Sequence, residues 1–69
     1  MAKNKSIIAE NIKKYRKKKG ITQDKLSKLA DITYNTIIKI ESGVTSNPRV
    51  ETLKSIANAL NVSIDDLMK

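Results

Sequence analysis

A chain of 69 residues with 14 lysines and arginines, 7 acids and a formal charge of +7 has room for one small domain with one core and none for a second. It contains no cysteine and no histidine, which excludes disulfide frameworks and zinc sites of the usual ligand types and removes the commonest acid-base catalyst. No apolar run approaches the roughly 20 residues of a membrane span, and no secretory apolar region follows the opening MAKNK, so the expected setting is cytoplasmic.

The first predicted helix covers roughly residues 5 to 19, because Ile8, Ile12 and Tyr15 recur at i, i+4 and i+7 and Gly20 supplies a stop. Leu26, Leu29 and Ala30 mark a short second helix. Ile37, Ile40 and Val44 form the inward face of a third, closed by Gly43. Asn47-Pro48 is expected to open a fourth helix as a cap followed by proline at the first helical position, with Leu53, Ile56, Ala57 and Leu60 as its apolar stripe. Ile64, Leu67 and Met68 mark a fifth helix of one or two turns.

Three of these starts share one device. Ile21-Thr22 with Leu26, Ile32-Thr33 with Ile37, and Val62-Ser63 with Leu67 each set an apolar residue before a hydroxyl cap and another four residues after it. That is a hydrophobic staple, which fixes the angle at which the chain enters the helix. Ser63 with Asp66 has the spacing of a capping box as well. Nothing alternates with period two and there is no Phe or Trp, so strands and the aromatic platforms of single-strand binders are not expected. The fold class is all-α, a compact bundle of five short helices in a single domain over residues 1 to 69.

Helices two and three are joined only by about Ala30-Asp31-Ile32, too short a link for a flat antiparallel hairpin. Two helices so joined cross steeply, as in a helix-turn-helix. Ser27 suits that crossing, being small where the backbones approach. Taking about 100° per residue, Tyr34, Ile38, Ser42, Asn35 and Lys39 share one face of the third helix, opposite Thr33, Ile37, Ile40 and Val44. Asn can bond adenine through two atoms, Lys can donate to guanine, and an exposed Ile suits a thymine methyl. The charge agrees with a polyanion: residues 1 to 28 hold ten bases and two acids, the remainder four bases and five acids. An anionic membrane surface, or solubility alone, would use the same charges. Thr22 and Gln23, at the start of helix two, are placed to hold a phosphate on its positive end.

From Gly20 onward, GITQDKLSKLADITYNTIIKIESG followed by NP and LKSIANALNVSIDDL resembles the lambda-repressor and Cro-like, or XRE, helix-turn-helix family over nearly the whole chain. Its specific parts are Thr22-Gln23, the Ile37 to Glu41-Ser42-Gly43 segment, the loop to Pro48 and the ALNVSIDDL ending. The resemblance implies that the third helix enters the major groove of double-stranded DNA, and that dimers bind half-sites about one turn, roughly 34 Å, apart. Base contacts would come from Thr33, Tyr34, Asn35, Ile38 and Lys39, and further phosphate contacts from Ser42, Thr45, Ser46 and Asn47. Arg49 resembles a position that in some members reaches the minor groove. Arg16 and Glu41, each four residues beyond a core isoleucine, resemble the partly buried ion pair that ties helix one to helix three in many members. The family's frequent glycine in the turn is here Asp31, which tolerates left-handed backbone better than most residues.

These features point to a sequence-specific, dimeric regulator of transcription, a repressor of phage or mobile-element type. The homodimer would use Asn61, Ile64, Leu67 and Met68, because Ile64, Leu67 and Met68 are many apolar groups for a short terminal helix to hide unaided, the alternative for Leu67 being that it completes the core of the single chain. The alternative is an antitoxin or protein-interaction module that also binds its own promoter. An enzyme is not expected, because the one acidic pair, Asp65-Asp66, lies on adjacent helical residues that diverge by about 100°. No cofactor or metal is expected.

Overall fold

The structure is a computed structural model, and it describes residues 7–45 and 48–69. These form α1 (Ile7–Lys19), α2 (Gln23–Ala30), α3 (Tyr34–Glu41), α4 (Val50–Leu60) and α5 (Ile64–Met68), with no strand among the described residues. The core is Ile12, Leu26, Ala30, Ile37, Ile40, Leu53, Ile56, Ala57, Leu60 and Leu67, so every helix contributes to it. Around it α1 packs on α3, α4 and α5, while α2 packs on α3 and α4.

Local signals account for most of the boundaries. Thr22, Thr33 and Ser63 each accept a hydrogen bond on the side-chain oxygen from the amide three residues on, those of Lys25, Thr36 and Asp66. The residues before these caps, Ile21, Ile32 and Val62, lie against the core, and their staple partners Leu26, Ile37 and Leu67 are fully buried. The staple thus converts a local sequence pattern into three fixed entry angles. Gly20 ends α1 at φ 74°, with its amide on Lys17 O and that of Ile21 on Arg16 O. Asp31 and Asn61 do the same for α2 and α4 at φ 58° and 61° without being glycine, a backbone that Asn and Asp adopt more readily than other side chains.

Four sequence expectations are corrected. The fourth helix starts at Val50, not at Pro48, and its N-cap is Arg49 with no side-chain bond. Leu53 is the first residue of that helix in the core, so a turn begun at Pro48 would bury nothing, and the chain spends those residues on the path from α3. Val44 is 75% exposed, because α3 ends at Glu41 and Val44 no longer follows the helical period. Thr33 is exposed, since a cap residue has extended backbone and the 100° rule does not reach it. Leu29 is also exposed, because α2 turns Leu26, Ser27 and Ala30 inward and Leu29 lies on their flank.

Candidate nucleic-acid interface

α3 lies inward with Ile37, Ile40 and Glu41, which sets its outward face opposite them. At about 100° per residue that face centres on Asn35, Lys39 and Ser42, with Tyr34 and Ile38 on its edge toward Glu41. Tyr34, Asn35, Lys39 and Ser42 are exposed, and Ile38 is half-buried. Thr33 is held as the cap, its hydroxyl 3.2 Å from the amide of Thr36 and 2.8 Å from the hydroxyl of Thr36. Eight residues make a rod about 12 Å long and, with side chains, about 10 to 12 Å across, close to the roughly 12 Å width of a B-DNA major groove.

The turn that leads from α2 into α3 is fixed by local bonds at Ser27. Ser27 is buried and donates its hydroxyl to Asp24 O at 2.6 Å, while Ile32 N reaches back to Ser27 O at 2.9 Å. On α2 the hydroxyl oxygen of Thr22 accepts from Lys25 N at 3.1 Å, which leaves its hydrogen free to donate. The amides of Gln23 and Asp24, first in the helix, have no acceptor among the described residues, as expected of a first turn, and aligned peptide dipoles make that end attractive to an anion.

Behind the two helices lies a buried ion pair. Arg16 donates from Nε to Glu41 Oε2 at 2.6 Å and from Nη2 to Oε1 at 3.0 Å, with side chains only 12% and 2% exposed. A third bond from Nη1 to Ile21 O at 3.0 Å fixes the α1–α2 turn. Glu41 Oε1 also accepts from Gln23 Nε2 at 2.9 Å, a contact that no sequence spacing indicated. With these bonds no buried side-chain polar atom is left without a partner among the described residues.

The family model for helix-turn-helix domains, HTH_3, matches residues 12–67, which takes in α2, α3 and α4 whole and most of α1 and α5. The chain belongs to the XRE-type helix-turn-helix family of DNA-binding transcriptional regulators. It is similar to the transcriptional regulator SinR of Bacillus subtilis (strain 168), at 31% identity over 62 residues, covering 90% of this chain and 56% of SinR. The chain therefore spans about half the length of that relative. The SPbeta prophage-derived regulator YopO of the same organism is 41% identical over 61 residues, 88% of this chain and 86% of YopO. Among solved structures, the N-terminal DNA binding domain of SinR superposes with a TM-score of 0.88 at 30% identity, over 91% of each chain. The fold also occurs inside an enzyme: hydroxypropylphosphonic acid epoxidase from S. wedmorenis matches with a TM-score of 0.82 at 26% identity, over 93% of this chain but 34% of the enzyme.

In this XRE-type chain the α3–α4 loop is only partly described. Ser46 and Asn47 lie outside the described residues. Ser42 spends its hydroxyl hydrogen on Lys39 O at 3.0 Å and accepts from Val44 N at 3.4 Å, so it meets a phosphate only by exchanging the first bond. Thr45 is half-buried, with its amide on Lys39 O at 3.2 Å. Arg49 is exposed at the start of α4.

At the other end of the domain the residues expected at a dimer contact separate. Leu67 is 0% exposed, so it completes the core of a single chain and is corrected from partner contact to core residue. The physical reason is its staple with Val62, reinforced by Asn11 Nδ2 donating to Leu67 O at 2.8 Å. Ile64 is half-buried against the core, Asn61 is an exposed left-handed cap, and Met68 is 55% exposed.

Proposed function

We propose that the chain is a sequence-specific regulator that binds as a homodimer to a palindromic operator in double-stranded DNA, reading bases with α3 in the major groove. The observation that carries this reading is the outward face of α3, where Asn35 and Lys39 stand exposed beside Ser42, with Tyr34 at the edge, on a helix anchored by three buried residues. Rigid support matters, because a base contact tolerates little misplacement. Thr22, Gln23 and the free amides of α2 would position the domain on one strand's phosphates, and Thr45 and Arg49 would lie toward the backbone or minor groove beyond α3. The mobile-element character is supported by the likeness to a prophage-derived regulator over 86% of its length. It would act by occupying its operator in the cytoplasm, without catalysis.

Selection of bound sequences from a random DNA pool identifies the operator. Against that sequence and a scrambled duplex, Asn35→Ala is expected to cost on the order of 1 to 3 kcal/mol on the operator and little on scrambled DNA. An unchanged ratio in both Asn35→Ala and Lys39→Ala would mean that α3 is not the reading element.

A further inference from the structure

The buried pair of Arg16 and Glu41 satisfies itself, so the third donor on Glu41 calls for a separate explanation. Gln23 is half-buried, the first residue of α2, and had water available as a partner. Its amide instead lies 2.9 Å from Glu41 Oε1, the oxygen that already accepts Arg16 Nη2. We infer that Glu41, with its charge cancelled by Arg16, is a positioning residue that aims the Gln23 side chain at a DNA phosphate and locks that anchor to the reading helix. The inference rests on the reading of Gln23 as a phosphate contact.

Three steps support it. First, Glu41 decides which way the amide points. The reverse orientation would set the Gln23 carbonyl against a carboxylate, two acceptors facing each other, so Nε2 is the inward atom. One of its two N–H groups is committed to Glu41 and the other remains as a donor, beside the Thr22 hydroxyl and the free first-turn amides. Second, a bare carboxylate one hydrogen bond from a phosphate anchor would repel the phosphate, and the side-on guanidinium removes that penalty because the pair is net neutral. Third, the bonds join Arg16 on α1, Ile21 O in the turn, Gln23 opening α2 and Glu41 closing α3. Any movement of the anchor relative to the reading helix must break one of them. A side chain ordered before DNA arrives spares the ordering cost of binding, which for one such side chain corresponds to about two- to tenfold in affinity.

The test exploits the fact that a buried ion pair can often be replaced by apolar residues without loss of stability. The double variant Arg16→Met/Glu41→Leu removes the tether and leaves net charge unchanged. It is expected to bind operator and scrambled duplexes about two- to tenfold more weakly, with the salt dependence unaltered. Adding Gln23→Ala should then cost nothing further, although Gln23→Ala alone weakens binding. Equal affinity of the double variant and the parent, or full additivity with Gln23→Ala, overturns the inference, as does a salt slope lowered by about one unit, which would make Arg16 itself a phosphate contact. If Gln23→Ala alone binds like the parent, the anchor reading falls and takes the inference with it. Should the double variant not fold, Glu41→Gln serves, because an amide offers one acceptor oxygen to three donors. Nuclear magnetic resonance of the free protein should show two well-separated, slowly exchanging Gln23 side-chain amide protons in the parent, collapsing toward solvent-averaged values in Glu41→Gln. Identical signals in both overturn the inference.

Discussion

At the scale of single residues, two positions test what holds this small domain together. Glu41 is an acid among isoleucines, and removing it would leave the guanidinium of Arg16 buried without its counter-charge, a change that typically costs about 3 to 5 kcal/mol. Lys28→Ala breaks only an exposed pair with Asp24 at 3.3 Å, which is worth below about 1 kcal/mol. Chemical denaturation should therefore rank Glu41→Ala far below Lys28→Ala, and equal midpoints would show that the buried pair contributes little. Asp31 is the second position. Its left-handed backbone, φ 58° and ψ 45°, closes α2 through amide bonds to Lys28 O and Ser27 O. Glycine adopts that conformation freely but is also freer when unfolded, so Asp31→Gly is expected to gain only about 0.5 kcal/mol, while Asp31→Ala, with a Cβ and no local bonding of its own, should lose about 1. Alanine matching glycine there would mean that the turn is unstrained.

At the scale of elements, α5 is short enough that its cap matters most. The amide of Ser63 donates to Asp66 Oδ2 at 3.1 Å, and the amide of Asp66 donates to Ser63 Oγ at 3.0 Å. The Ser63 backbone N–H first, then its hydroxyl and the Lys69 ammonium, hold the Asp66 carboxyl below its ordinary value of 3.8. A lowered folded-state pKa stabilises the domain above the unfolded-state pKa, and that contribution disappears as pH falls through the folded one. Denaturation between pH 7 and pH 2 should thus show an acid-side loss that Asp66→Asn reduces, and an identical pH profile in the variant would exclude the cap as its source. This capping box was legible in the sequence, as were the hydroxyl caps of α2 and α3, because caps and staples act within four residues. The start of α4 was not, since the sequence from 42 to 49 holds no apolar period, and Arg49 caps the helix without the side-chain bond that a local pattern would announce. The same distance in sequence hid the Gln23–Glu41 contact and the bond from Asn11 to Leu67. Both join residues 18 or more apart, and only the folded chain brings them together. The centre of the outward face of α3 was legible, because helical period alone sets Asn35 and Lys39 opposite Ile37 and Ile40.

At the scale of the whole molecule, shape limits the dimer proposed on DNA. The domain measures 33 × 23 × 23 Å, and two half-sites one DNA turn apart are separated by roughly 34 Å. Two copies so placed would touch only along their edges, which leaves room for a small contact and not for a large apolar interface. The residues free to make it match that limit: Leu67 is consumed by the core and Ile64 is half-buried, leaving Met68 as the exposed apolar group of α5. A contact that rests on one exposed apolar side chain is not expected to reach the roughly 1,000 Å² of a stable interface. The expected behaviour is therefore a monomer in solution at micromolar concentration that dimerises on DNA, where each half-site raises the effective concentration of the neighbouring copy. Sedimentation of the free chain should give the mass of one copy, and titration of an operator with two half-sites should show cooperativity absent from a single half-site. Met68→Asp should weaken that cooperativity while leaving affinity for the single half-site unchanged, since the residue lies on α5 and the proposed base contacts lie on α3. Independent filling of the two half-sites by the parent protein, or cooperativity untouched in Met68→Asp, would place the contact elsewhere or remove it.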